Sequence, residues 1–316
     1  MAAFVIRRLL AMVLVLFAVS VLVFLIFNVI PNGDPADRMA GKNVTPQVVE
    51  AIRKEWGFDR SLPVQYATTM QKLFTGDLVS YENRTNVVDE ILRGVPRTFA
   101  LAIGAAIIWL VVGVALGLYT AIHAGQWTDR LVTVLALVGI SMPVFWLGAL
   151  AAYYLGYRAG IFPNGGYTEI GADGLLSWLH HLILPWLVLS TLFIGVYSRV
   201  VRSNILDTIN DDYVRTARAK GLSERRVLVR HVLRNSLIPV VTLWGLDFGL
   251  AIGGGAILTE TVFDLQGVGQ YFAESIRRLD VPPVMAVTMF GAFFIVIFNT
   301  LVDLIYAVLD PRIRLG

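Results

Sequence analysis

Six apolar stretches, each near the length needed to cross a membrane and each carrying at most one charge, recur at about 9–30, 98–122, 131–154, 182–201, 237–258 and 284–309. About twenty apolar residues wound as a helix cross a hydrocarbon core of about 30 Å, so the pattern predicts a polytopic membrane protein with six helical spans. The chain has 316 residues, 56% of them hydrophobic and only 16% charged, with a mean hydropathy of +0.68. That is too apolar for a soluble domain of this length. Zero cysteines exclude a disulfide framework and any thiolate metal site or nucleophile.

Arg7 and Arg8 precede the first span and place its start in the cytoplasm. A signal peptide is the alternative. The run is longer than a typical signal core and no small-x-small cleavage site follows, which favours a retained helix. An inside start makes 122–130, 202–236 and 310–316 cytoplasmic, and the middle segment alone holds Arg202, Arg215, Arg218, Lys220, Arg225, Arg226, Arg230 and Arg234. Arg312 and Arg314 agree with this, so both termini are expected in the cytoplasm. Residues 31–97 carry nine basic and nine acidic residues and read as a small external lobe. Its first helix is predicted at 45–56, with Thr45 as N-cap and Pro46 at the first helical position.

Several residues within the spans invite a functional reading. Ser141, Pro143 and Trp146 surround a proline inside the third span, where a kink could border a pathway or be purely structural. Asp247 lies deep in the fifth span; an ionised carboxylate there either lines a pathway or has a structural partner. Gly254, in the run Gly253–Gly255, marks a hinge or a tight contact, because each glycine weakens a helix by roughly 1 kcal/mol relative to alanine. Gly113 and Gly117 allow another helix to approach, most simply within the subunit. Glu260 and Asp264 fall at the external end and are expected in solvent, and a short external helix is predicted from 270 to 279.

The basic stretch 211–239 reads as a helix ending at Gly221, a left-handed turn, and a second helix begun by Ser223. A solvated cytoplasmic loop is the simpler reading of its charge. Its wording argues further. Arg215, Thr216 and Ala217 stand where the general coupling loop of ABC-transporter permeases has Glu-Ala-Ala, and His231, Leu233 and Arg234 stand where it has Ile, Leu and Pro, so only Ala217, Gly221 and Leu233 match. The run Tyr-Val-Arg-Thr-Ala-Arg-Ala-Lys-Gly with Arg-His-Val-Leu-Arg-Asn-Ser-Leu-Ile-Pro resembles instead the peptide and nickel branch of that superfamily. The segments 57–66 and 75–78, Phe162–Tyr167, Leu265–Gly269, Asp280-x-Pro282 and 303–312 resemble the first permease of peptide importers too. Asn164 departs from the pattern, standing where a small residue is common.

The resemblance implies an all-α protein with the type I ABC importer permease fold: a first span in 1–30, an external lobe at 31–97, and a five-helix core at 98–316 with a coupling loop at about 204–236. It implies a non-catalytic subunit of a bacterial or archaeal cytoplasmic membrane that pairs with a second, similar permease. Two cytoplasmic ATPase subunits would bind ATP and magnesium, and an external binding protein would deliver di- or oligopeptides. No cofactor and no nucleic acid is implied for this chain. In the docking loop, Ala217, Gly221 and Leu222 would form an inserted tip, and Arg215, Arg218, Lys220 and Arg225 its charged rim.

The chain contains no Gly-x-x-x-x-Gly-Lys-Ser/Thr phosphate loop, so ATP must be bound elsewhere. An ion-driven secondary transporter is a weaker alternative, because Asp247 has no evident counterpart in a repeat. The four histidines, His123, His180, His181 and His231, form no recognisable ligand set or triad, which argues against an enzyme. A nickel importer shares the wording but would favour imidazole or chelating ligands, and adjacent histidines on a helix cannot easily face one site.

Overall fold

The computed structural model describes residues 2–29, 35–40 and 45–309, and among these every regular element is a helix. Residues 31–34 at the start of the lobe and the 310–316 tail lie outside the described residues. The first span, α1 (Ala2–Phe24), turns outward most of the large apolar residues that lipid would solvate, including Leu10, Val13, Leu14 and Phe17. A short helix at Pro35–Ala40, earlier than the 45–56 helix expected to come first, and two longer amphipathic helices, α2 (Pro46–Trp56) and α3 (Leu62–Thr75), follow. Each of these two starts with a proline in its first turn and ends at a left-handed glycine, Gly57 (φ 71°) and Gly76 (φ 80°), which caps exposed carbonyls at little steric cost.

The second span, α4 (Val87–Ile122), begins before the apolar run does. Asn86 caps it by accepting from Val88 N–H and Asp89 N–H at 2.9 and 3.1 Å, and Asp89 and Glu90 favour its positive N-terminal end. Residues 87–97, placed in the lobe by composition, are therefore the outer turns of this helix. At 36 residues it is about 54 Å long and projects well beyond a bilayer core. Its Ile103, Ile107 and Val111 are exposed while Leu101, Ala105 and Trp109 are buried. A helix apolar on both faces is what a membrane span packed against protein on one side requires.

The third span bends at the expected proline, and more sharply than a kink. It is not one helix but two, α5 (Trp127–Ser141) and α6 (Val144–Ala151), the latter continuing to Arg158, with a 99° bend between them. Pro143 explains the break: Met142 before it is extended, at φ −83° and ψ 128°, as a residue preceding proline prefers. Among the described residues five helices are long and apolar enough to cross a membrane, and the bent pair, counted as one span, makes six.

The fourth span, α7 (Ile170–Thr208), has a kink at Gly174 (φ 80°) and packs chiefly on α4, and also on α5 and α6. Small residues of α4 meet large ones of α7. The Trp186 ring lies over Gly104, and a Cβ on Gly113 or Gly117 would stand 2.6 Å from a side-chain carbon of Tyr197 or Val201. Trp186 Nε1 donates to the Ala100 carbonyl at 2.9 Å, fixing the rotation of the pair. The glycine spacing of the second span thus serves packing inside the subunit. The main core runs along this seam, with Leu101, Trp109, Leu182, Leu189, Tyr197 and Val201 all buried.

A helical hairpin follows, opened by α8 (Asp212–Ala219). The fifth span is α9 (Ile238–Leu250) with a widened turn at Ala251–Gly255, and beyond it comes a short helix, α10 (Ile257–Val262). Gly254 in the widened turn has φ 149°, open only to glycine, and Gly253 lies directly against the backbone of Gly291. The next helix, α11 (Val268–Arg277), starts two residues earlier than the 270–279 expectation and leads into the last span, α12 (Val281–Leu309). Asp280 anchors that entry. Its carboxylate is buried, accepts from Tyr81 N–H at 2.9 Å and bonds the Ser80 hydroxyl.

Candidate functional site

The hairpin is built from the pattern of its first helix. Val214 and Ala217, three apart on α8, point inward with Val227 and Val232 of the returning strand of helix and are buried with them. Tyr213 bridges the two arms: its hydroxyl donates to the His231 carbonyl at 3.3 Å and accepts from Asn235 Nδ2 at 2.8 Å. Gly221 makes the turn with φ 77°, and a side chain there would meet no atom within 4 Å. Ser223 occupies the N-cap position of the second arm, although its side chain makes no capping bond.

The structure divides the residues assigned to a docking tip. Gly221 stands exposed at the apex, Leu222 is half-buried against the core, and Ala217 faces inward at 5% exposure, closing the hairpin. Lys220 and Arg225 are exposed on either side of the apex. Arg218 and Arg215 are tied locally, to Glu224 at 3.0 Å and to Asp212 at 3.5 Å. Exposed pairs of this kind contribute under about 1 kcal/mol, so both guanidiniums are readily released to another acceptor.

The base of the hairpin is fixed more firmly. Ser236 is buried, its hydroxyl lies 3.0–3.2 Å from the Val232 and Asn204 carbonyls and Thr208 Oγ1, and Asn204 Nδ2 donates to the Ser236 carbonyl at 3.2 Å. Two residues earlier on α7, Arg202 makes a two-pronged pair with Asp129 of α5 at 2.9 and 2.8 Å, while Gly125 N–H donates to the same carboxylate. The sequence reading missed Asp129, Asn204 and Ser236. Only the position of Asp129 two residues into a helix, beside an apolar run, hinted at a partner.

The residues proposed for a pathway do not converge. Ser141, Pro143 and Trp146 share the exposed α5–α6 bend, where Ser141 Oγ donates back to the Leu137 carbonyl at 2.8 Å. Asp247 has a structural partner, the hydroxyl of buried Tyr197, which donates to its Oδ2 at 2.8 Å. Gly195 of α7 packs on Ile140 of α5, and Tyr197 lies two residues on, about 200° around the helix, so Asp247 is on the far side of α7 from the bend. Gly254 sits in the broken turn of the fifth span.

Glu260 corrects the expectation of a solvated carboxylate. It is fully buried, accepting from Thr98 Oγ1 at 2.7 Å and Gln270 N–H at 2.9 Å, while Val268 N–H donates to Thr98 Oγ1. The cause is α11, which folds back over it. Burial pushes its pKa up to about 7, against the opposing pull of those hydrogen bonds. Asp264 is exposed. His180 Nε2 lies 2.7 Å from the Ile161 carbonyl and His181 Nδ1 2.9 Å from the Ser177 carbonyl, and among the described residues no three His, Asp or Glu side chains are grouped to hold a metal.

The sequence pattern described as binding-protein-dependent transport system inner membrane component matches residues 113–315, and its N-terminal counterpart matches residues 1–102. The chain is 38% identical over 315 residues, 99% of each chain, to a protein of Brucella abortus (strain 2308) named for a peptide transport system permease. It is 39% identical over 316 residues, again 99% of each, to the glutathione transport system permease protein GsiC of Escherichia coli (strain K12). A solved chain of the MetNI methionine ABC transporter in an inward-facing conformation matches 71% of this chain and 97% of its own, with a TM-score of 0.58 at 16% identity, which identifies the shared fold. With six spans about a buried α4–α7 seam and a hairpin between the fourth and fifth, the chain belongs to the family of inner membrane components of binding-protein-dependent transport systems.

Proposed function

We propose that the chain is one of two similar permeases that together form the pathway of an ATP-driven importer for short peptides, glutathione-like ones included. The observation that carries this is the hairpin with its bare Gly221 apex and firmly anchored base, in a chain whose full-length relatives are named for peptide and glutathione transport. Both termini and the hairpin face the cytoplasm, where two ATPase subunits bind ATP and magnesium and receive the apex. The lobe and α11 face outward, toward a binding protein that delivers the peptide.

Gly221 offers a direct test, because nothing in the subunit occupies the space a side chain would take. A residue there costs the isolated chain only the left-handed strain, about 1 kcal/mol, which asparagine tolerates better than most. Gly221→Asn should retain most substrate-stimulated ATP hydrolysis in the reconstituted four-subunit complex. Gly221→Trp should insert and fold but abolish it, and should lose crosslinks from the apex to the ATPase. Normal hydrolysis and uptake by Gly221→Trp would remove the docking assignment.

A further inference from the structure

Between the outer turns of α4 and the external helix α11 lies a cavity of about 350 Å³, lined chiefly by Glu90, Arg93, Arg97, Gln266, Gln270 and Glu274. That volume is at the small end of the range for small-ligand sites. A close backbone approach shapes its floor: a Cβ on Gly94 would stand 2.8 Å from Val268 N, so a glycine there is what lets α11 come this near α4.

Gln270 organises the wall. Its Oε1 accepts from Gln266 N–H at 2.7 Å, and its Nε2 donates to Asp264 Oδ1 at 2.7 Å and Glu274 Oε1 at 3.0 Å. These bonds hold Asp264 and Gln266 at φ 50° and 54°, a left-handed conformation that non-glycine residues seldom adopt. Backbone held against its preference in this way clusters at binding sites and switches.

The charges are unevenly matched. Arg93 pairs with Glu90 at 3.3 Å. Arg97 donates from Nη1 to the carbonyl and Oε1 of Gln266, at 3.2 and 2.9 Å, and its guanidinium lies 5.5 Å from the centre of the Tyr167 ring. Glu274 accepts from the Gln270 amide. Neither Arg97 nor Glu274 takes part in any ion pair among the described residues. A guanidinium fixed by neutral groups and a carboxylate bonded to a neutral amide therefore border one cavity, each with donors or acceptors to spare.

We propose that this cavity binds a short peptide by its two charged ends, Arg97 taking the terminal carboxylate and Glu274 the terminal ammonium. The proposal rests on the peptide-import reading and on the outward placement of α11. It gives the permease its own contact with the substrate at the mouth, where the peptide leaves the binding protein.

The test uses the purified four-subunit complex without binding protein and three probes: alanyl-alanine, its N-acetyl derivative and its C-terminal amide, with binding followed by saturation-transfer NMR and titration calorimetry. The intact complex should bind the free dipeptide and bind each blocked form about tenfold or more weakly, the loss expected when one charged contact goes. Arg97→Gln should bind acid and amide alike, and Glu274→Gln should bind free and acetylated peptide alike. Arg97→Lys should recover part of the preference for the acid. Equal binding of all three probes by the wild type, or a uniform loss for all three in both variants, overturns the proposal. So does a change confined to the affinity of the complex for binding protein, which would mark a protein-docking surface. Peptide uptake by the wild type with binding protein present keeps the two readings apart: uptake without end-dependent binding sinks the cavity and leaves peptide import standing, whereas absence of uptake sinks peptide import.

Discussion

Asp247 shows how far single residues could be read in advance. A carboxyl group in the middle of an apolar span is costly unless it has a partner, so the sequence marks it at once. The partner is Tyr197, fifty positions earlier on α7, whose hydroxyl bonds it at 2.8 Å. Nothing local joins the two, since a tyrosine in an apolar run reads as a packing residue. Tyr197→Phe should therefore leave Asp247 without its donor and destabilise the subunit by about 1–3 kcal/mol, the usual cost of a buried polar group left unmet. Asp247→Asn keeps an acceptor for the tyrosine and should cost less. Thermal unfolding of the purified complex distinguishes them, and equal melting of Tyr197→Phe and wild type would sink the structural role. Glu260 was misread for a related reason. Its place just beyond the fifth span suggests solvent, and its burial depends on a helix that comes later in the chain.

That later helix sets the behaviour of the elements it folds against. α4, α10 and α11 meet at Glu260: α4 contributes Thr98, α10 the carboxylate, and α11 the N–H groups that bond to both. Gly267 and Gly269 allow the approach, because a Cβ at Gly269 would stand 3.0 Å from Glu260 Oε2. The folded-state pKa of about 7 lies above the ordinary 4.5, so the native protein holds this proton more tightly than the unfolded chain. Its contribution to stability is fully present below about pH 4.5 and is lost as pH rises through about 7. The melting temperature of wild type should fall between about pH 5 and pH 8, by more than that of Glu260→Gln, which carries no titrating group there. Parallel pH profiles for the two proteins would contradict this. Among elements, the break at Pro143 was legible because proline forbids the helical hydrogen bond. The outward extension of α4 was not, because its polar first turns look like loop until Asn86 is seen to cap them.

At the scale of the molecule, α7 links the end of the bundle that carries α11 to the hairpin at the other end. From Gly174 to Thr208 its 35 residues span about 52 Å, and near its C-terminal end Arg202 and Asn204, two apart, point to opposite sides. Arg202 holds α5 through Asp129, and Asn204 holds the hairpin base through Ser236. Ser236 lies just before α9, so this one junction joins the hairpin to both the fourth and fifth spans. A push on the apex reaches the spans only if the base is rigid. Asn204→Ala removes the amide that bonds the Ser236 carbonyl, and Ser236→Ala removes the hydroxyl while leaving the backbone in place. Each should cost about 1 kcal/mol of stability, the net value of an ordinary hydrogen bond, and leave the Gly221 apex free to dock. ATPase binding should persist in both variants, but loaded binding protein should stimulate ATP hydrolysis several-fold less than in wild type. The decisive quantity is the ratio of hydrolysis with and without loaded binding protein in the reconstituted complex. A ratio equal to that of wild type, in a variant whose lowered melting temperature shows the bond is gone, would mean that force passes from hairpin to membrane by another route.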